Sequence, residues 1–404
     1  MANKNNKMEI IIQKSELLSK LAIFQHTIKT KTINPIVQYI KITTNLQDKT
    51  IALHGTDLDL FLIEYAKAEV LSKGEVLVLS KKFYDIIRYL PDGSINISVD
   101  EKLHVNIRSG NCHIKLSGLS PEEFPIFPDK GKNTTTYYSI PLDSLSEMLK
   151  KVIFCVNDND SRPALTGVYL HTYNPKNNTT PNYLLRAVGT DGHRLALAQE
   201  CVNNTPNKTK NIINPALING IILPKKACQE LIRLAQQEDL QNTSISLEIF
   251  PNLAGIFSVN FTFLTKYIKK PFPPYQSILD KPPATIKVFF PKITIINVLK
   301  RFQSFTSFTF PDARFTFSQN KLKLCAQNPE LGEIEEEIRL NEDIKNTLSI
   351  YFNVRSMLEC ISIVPSKEVE LSFWGPEEPL IIRSKNRSGY LALVMPMKNP
   401  EETN

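Results

Sequence analysis

Apolar residues along this chain fall into two rhythms that alternate three times. The first has the period of a helix. Residues 139–154 place Leu142, Leu145, Leu149 and Val152 on one helical face, and residues 286–302 do the same with Ile295, Val298, Leu299 and Phe302. Residues 9–23 form the matching N-terminal copy, and each copy opens on an extended run. A second helical phrase, a strand end passing through a capping residue into a helix, recurs at 76–90, 221–234 and 350–363. Ser80 and Asn353 stand where N-caps belong, and Pro224 suits a first helical turn. The second rhythm has period two. Leu103-His104-Val105-Asn106-Ile107 alternates as a strand with one buried face does, and similar segments fill 95–117, 245–265 and 369–397.

The order is therefore helix, strands, helix, strands, three times over. It predicts an α+β chain of three similar domains, each with two helices packed on antiparallel sheets. Polar or Pro-rich stretches near 127–133 and 279–283 look like linkers. They set the expected domains at 1–133, 134–281 and 282–404.

Composition narrows the class. The chain has 404 residues, 42% hydrophobic and 22% charged, as globular protein does. No apolar run approaches the ~18–20 residues of a membrane helix. Residues 1–7 are polar and lack the apolar core of a signal peptide, so a short tail is expected there, with Met8 as an alternative start. A cytoplasmic location without membrane contact follows as an expectation. The six cysteines lie at 112, 155, 201, 228, 325 and 360, and no Cys-x-x-Cys occurs, so neither a metal site nor a cofactor is expected. The Asn-rich stretch 201–213 finds no role in this reading.

Formal net charge is +7, which suits a nucleic-acid partner. No Lys/Arg run exceeds two residues, so the fold must assemble any basic surface. The basic residues do recur at matching places. The first helices carry Lys20, then Lys150 and Lys151, then Lys300 and Arg301. The second helices carry Lys81, Lys82 and Arg88, then Lys225, Lys226 and Arg233, then Arg355. Such side chains attract phosphates without reading bases.

Several phrases then become specific. G-T-D-G-H-R-L-A occupies 189–196, Y-x-x-x-V-M-P-M occupies 390–397 near the end of the chain, and S-R-P-A-L-T-G-V occupies 161–168. G-T-D-L at 55–58, F-P-x-Y at 272–275 and A-Q-N-P-E at 326–330 support them. In this order they resemble the beta subunit of bacterial DNA polymerase III, the sliding-clamp family. The resemblance implies a DNA polymerase processivity factor for replication: a toroid formed by a head-to-tail homodimer around duplex DNA, read without regard to sequence. It implies the polymerase III alpha subunit, the clamp-loader complex and other proteins with a clamp-binding motif as partners.

The resemblance also assigns residues. A partner-peptide pocket would use Leu165, Thr190, Gly192, His193, Arg194, Leu195, Pro273 and Ile278. Its further wall would be Leu393, Val394, Met395, Pro396 and Met397. The basic helix residues would face DNA, joined by Lys31 from a loop. The ring seam would join His113, Ile114 and Leu116 to Phe305 and the acidic stretch with Glu333 and Glu335, which would face Lys82 or Arg108. Pro274, Ser277 and Lys398 depart from the family pattern and bear on peptide preference. Two other classes compete with this reading. An enzyme would use Asp191 and His193, which on a strand would share a face. A DNA-binding protein that does not encircle its ligand would bind linear and circular duplex alike.

Overall fold

The computed structural model describes residues 8–28, 34–128, 138–174, 184–201, 215–307, 309, 311–386 and 389–398. The first two stretches supply β1 (Glu9–Gln13), α1 (Lys14–Thr27), β2 (Tyr39–Asn45), β3 (Thr50–Thr56), β4 (Leu60–Lys67), β5 (Glu69–Ser72), β6 (Glu75–Leu79), α2 (Ser80–Tyr89), β7 (Ser94–Val99), β8 (His104–Ser109) and β9 (Cys112–Ser117). Next come β10 (Tyr138–Pro141), α3 (Leu142–Lys150), β11 (Gly167–Tyr173), β12 (Leu184–Thr190), β13 (Arg194–Cys201), α4 (Pro215–Asn219), β14 (Ile221–Pro224), α5 (Lys225–Leu234), β15 (Ser244–Ile249), β16 (Leu253–Phe257) and β17 (Phe261–Lys266). The last are α6 (Gln276–Leu279), β18 (Ile286–Pro291), α7 (Lys292–Phe305), β19 (Asp312–Asn328), β20 (Gly332–Asn353), α8 (Val354–Ile363), β21 (Glu368–Phe373), β22 (Leu380–Ser384) and β23 (Tyr390–Val394).

The chain forms two compact units: Met1–Ser146 with Asn204–Ile218 and Lys226–Tyr267, and Glu147–Asn203 with Asn219–Lys225 and Ile268–Asn404. The first unit holds a five-stranded sheet, β5-β1-β7-β8-β9, and an eight-stranded sheet, β10-β15-β16-β17-β4-β3-β2-β6. The second holds another eight-stranded sheet, β14-β11-β12-β13-β23-β22-β21-β18, and the hairpin β19-β20. Every pairing is antiparallel. Each large sheet is joined through a pairing distant in sequence: β4 to β17 in the first, β13 to β23 in the second.

The expected repeat is present as six strand-to-helix junctions without an intervening loop: β1 to α1, β6 to α2, β10 to α3, β14 to α5, β18 to α7 and β20 to α8. The last strand residue keeps extended angles and serves as the cap, as at Gln13, Leu79 and Asn353. Asn353 caps as expected, accepting the Ser356 N–H at 2.9 Å. Ser80 does not: it is the first helical residue, and its buried hydroxyl meets Gln25 Nε2 at 3.3 Å. Pro224 is likewise the residue before α5 rather than inside it.

The first helical residue is a lysine in α1, α5 and α7. Positive charge is unfavourable at its own helix N-terminus but favourable at a C-terminus. Each side chain spans that difference. The Lys14 ammonium reaches Leu90 O (2.6 Å) just past α2, and Lys292 reaches Val364 O (2.7 Å) just past α8. Lys225 reaches Val156 O at 2.8 Å, in the turn after α3.

Helix faces bury what their spacing promised. Leu17, Leu21 and Phe24 of α1 are fully buried, as are Phe83 and Ile87 of α2. The stretch 279–283 is not slack. Lys281 pairs with Glu378, Trp374 Nε1 donates to Pro282 O at 2.8 Å, and Thr285 donates to Trp374 O at 3.1 Å.

Candidate functional site

The motif at 189–196 is a hairpin turn between β12 and β13. Asp191 Oδ1 accepts the N–H groups of His193 and Arg194, both at 3.0 Å. The Thr190 hydroxyl accepts from Gly192 N at 3.1 Å and donates to Arg194 O at 2.7 Å. Gly192 has φ +89°, a left-handed conformation that favours glycine at this turn, and the Arg162 guanidinium lies close over it. Arg162 is held in place by Asp160 (Nε, 2.9 Å) and by Asp191 O (3.1 Å).

Arg194 is a structural hub. Its Nε donates to Asp191 Oδ2 at 2.9 Å, Nη2 to Phe154 O at 3.1 Å, and Nη1 to Glu359. Burial opposes the charge, yet Cys155, Glu359 and Asp191 together raise the guanidinium's already high pKa. Most of its donors face inward, so the expectation that Arg194 serves a peptide backbone is narrowed. Asp191 and His193 also sit in a turn, not on a strand. The Asp191 carboxylate accepts from two backbone N–H groups and the Arg194 guanidinium, and among the described residues no hydrogen bond joins it to the His193 imidazole.

Beside this turn lies an apolar cluster. Val188, Leu195, Leu197, Tyr275 and Leu393 are its buried members, with Tyr169, Phe272, Ile278, Leu279 and Met395 packed against them. The β13–β23 pairing sets Leu195 opposite Leu393 and Arg194 opposite Val394. The chain then continues past the sheet, with Met395 N donating to His193 O and Met397 N to Tyr351 O, each at 2.8 Å. Of the predicted pocket residues, Leu195, Ile278, Leu393 and Met395 therefore meet in one cluster. Leu165 and Val394 are buried outside it, while Gly192, His193, Pro273 and Met397 are exposed.

The aromatic floor was missed. Tyr169 stacks on Phe272 at 4.6 Å and on His171 at 4.8 Å, and His171 Nε2 meets the Tyr275 hydroxyl at 2.6 Å. Burial pushes the His171 pKa down, so the ring is neutral at pH 7. Gly220 makes room for this floor, since a Cβ there would run 2.2 Å from the Tyr169 ring. The F-P-x-Y phrase carried the signal, but its two aromatics pack here while Pro273 points to solvent.

The basic residues divide sharply. Lys20 is a correction: it is 1% exposed, and its ammonium pairs with Glu64 at 3.3 Å and with Asp239. It cannot meet DNA. Lys226 is tied to Asp57 and to Thr27 O, and Lys225 to Val156 O and to Asp158 at 3.2 Å. Arg301 makes two hydrogen bonds to Glu336, and Lys150 pairs with Glu147 at 2.7 Å. Lys81, Lys82, Arg88 and Lys300 are exposed, and among the described residues none has an ion pair. Lys151 is half-buried. Lys31 lies outside the described residues.

At the expected seam, β9 is the edge of its sheet. Ile114 and Leu116 are half-buried on one face and His113 is exposed on the other. Phe305, half-buried, ends α7. The acidic stretch is largely neutralised from within: Glu335 pairs with Lys323 (2.7 Å), Glu337 with Lys321 (2.9 Å) and Glu336 with Arg301. The Lys323 ammonium holds the Glu335 carboxyl below its usual pKa. Glu333 is exposed and belongs to none of these pairs.

Comparison with known sequences places three consecutive descriptions on the chain. The DNA polymerase III beta subunit N-terminal domain matches residues 8–128, the central domain 139–274 and the C-terminal domain 287–398. The chain belongs to the DNA polymerase III beta subunit family. The beta sliding clamp of Chlamydia muridarum is 26% identical over 391 residues, covering 97% of this chain and 99% of the relative. That of Rickettsia felis is 24% identical over 400 residues, covering 97% and 100%. The Caulobacter crescentus sliding-clamp crystal structure aligns with a TM-score of 0.85 at 23% identity, over 97% of this chain and 100% of that one. The Bartonella birtlesii clamp bound to griselimycin aligns with a TM-score of 0.85 at 25% identity, over 97% and 100%. The fold is thus the three-domain α+β clamp fold. Among the described residues no helix is long and apolar enough to cross a membrane, and no His/Cys/Asp/Glu group is arranged to hold a metal.

Proposed function

We propose that this chain is a processivity factor, a sliding clamp that closes head to tail with a second copy around duplex DNA and is not an enzyme. The observation that carries the reading is the run of three beta-subunit domains across residues 8–398. Its replication partners would be the polymerase III alpha subunit and the clamp loader, in the cytoplasm, with domain borders at 133/134 and 281/282. The exposed cations Lys81, Lys82, Arg88 and Lys300 would supply a sequence-blind, salt-sensitive attraction to phosphates. The apolar cluster around Leu195, Leu393, Ile278 and Met395, floored by Tyr169 and Phe272, supports a pocket for an apolar partner peptide. Edge strand β9 supports a seam.

Topology tests this reading. The protein, loaded by a clamp loader, is placed on nicked circular duplex and on the same duplex linearised, and retention is followed by gel filtration. It should stay on circles and be lost from linear DNA. Equal retention on both would mean that it binds DNA without encircling it.

A further inference from the structure

An unbroken chain of charged contacts links an exposed helix face to the pocket turn, all within the second unit. Arg355, on the first turn of α8, is 72% exposed, and its Nε donates to Glu359 Oε1 at 2.9 Å. The other oxygen of Glu359 accepts from Arg194 Nη1. Exposure falls to 29% at Glu359 and 13% at Arg194, so the link runs inward. Arg194 in turn grips Asp191, whose Oδ1 shapes the 191–194 turn, and His193 O of that turn accepts Met395 N. Glu359 is thus shared between a cation open to solvent and a cation that holds the pocket.

We propose that Glu359 is a positioning residue that couples occupation of the α8 face by a phosphate backbone to the affinity of the pocket. The inference rests on the clamp reading, in which α8 meets DNA and the turn meets a partner. A phosphate competes with Glu359 for the Arg355 guanidinium, because the two anions repel and phosphate accepts in bidentate fashion. Glu359 is left with Arg194 as its one cation. That pair tightens and the 191–194 turn is held more firmly. Ligand bound in the pocket must then strengthen DNA binding by the same factor. The lever is an exposed ion pair, so the change is about two- to fivefold.

The test uses the full chain and griselimycin, found bound to clamps of Bartonella birtlesii and Pseudomonas aeruginosa, as the pocket probe. Griselimycin affinity is measured by calorimetry at low salt, with and without saturating short duplex. Wild type should bind more tightly with duplex. Arg355→Gln should bind at the duplex-bound level without DNA and gain little when DNA is added. Glu359→Gln should lose the response and bind less tightly, while Arg355→Lys should keep part of it. A full response in Arg355→Gln, or none in wild type when both ligands bind, would overturn the coupling alone. Failure of griselimycin to bind, or binding indifferent to Met395→Ala, would overturn the pocket reading, and absence of duplex binding the DNA reading. Either would take the coupling with it.

Discussion

At the scale of single residues, charge is where sequence misleads most. Lys20 occupies the helical position expected of a DNA-facing lysine, yet it lies inside the first unit against Glu64 and Asp239. Its spacing from Leu17 and Leu21 on α1 showed only that it was near the buried face. What decides the matter is a carboxylate 44 positions later and another beyond 200, and no local pattern brings those together. Glu64 is fully buried, and the Lys20 ammonium lies 3.3 Å from its carboxylate. Burial pushes its pKa up to about 7 despite the Lys20 ammonium. The folded pKa is raised above the unfolded value, so this contribution to stability is complete below about pH 4.5 and is lost as pH rises through about 7. Glu64→Gln should remove that slope. In urea unfolding from pH 5 to pH 8, wild type should lose stability relative to the variant as pH rises. His54, held neutral by burial with its pKa lowered to about 4, works in the opposite sense but cancels between the two proteins. Parallel curves would mean that Glu64 stays ionised throughout.

Elements were far more legible. Helical periodicity located α1, α3 and α7, and period-two alternation located β7 to β9, because each depends on neighbours only a few residues apart. The capping residues were read half correctly. A serine or asparagine at a helix start signals a cap only if the backbone there is still extended, and sequence cannot place that junction to the residue. Asn353 is on the extended side and caps, whereas Ser80 is one residue inside and does not. Asn353→Ala should therefore cost about 1 kcal/mol in chemical denaturation. Ser80→Ala, which loses one long hydrogen bond to Gln25, should cost about half as much or less. Equal losses would mean that the two helices begin alike. The role of the lysines that open α1, α5 and α7 is not legible from pattern, since a lysine there looks misplaced until the carbonyl it reaches is known.

For the whole molecule, the threefold repeat and the family phrases revealed the architecture, and the motifs of the proposed pocket fell at one turn and one sheet pairing. The Glu359 link was hidden because it joins residues of different repeats, and the aromatic floor because it joins residues about a hundred positions apart within the middle one. The same cross-repeat joining bears on how the chain can be divided. The middle repeat gives β15, β16 and β17 to one large sheet and β11, β12 and β13 to the other. Excised as residues 139–274, it would leave the flank of β17 without β4 and that of β13 without β23. Raw strand flanks of this kind pair with whatever chain is nearest. Expressed alone, the fragment should come off a sizing column as aggregate, and a stable monomer would show that those flanks are covered in another way. The segment easiest to name in the sequence is thus the poorest choice for a crystallisation fragment or a transplantable module.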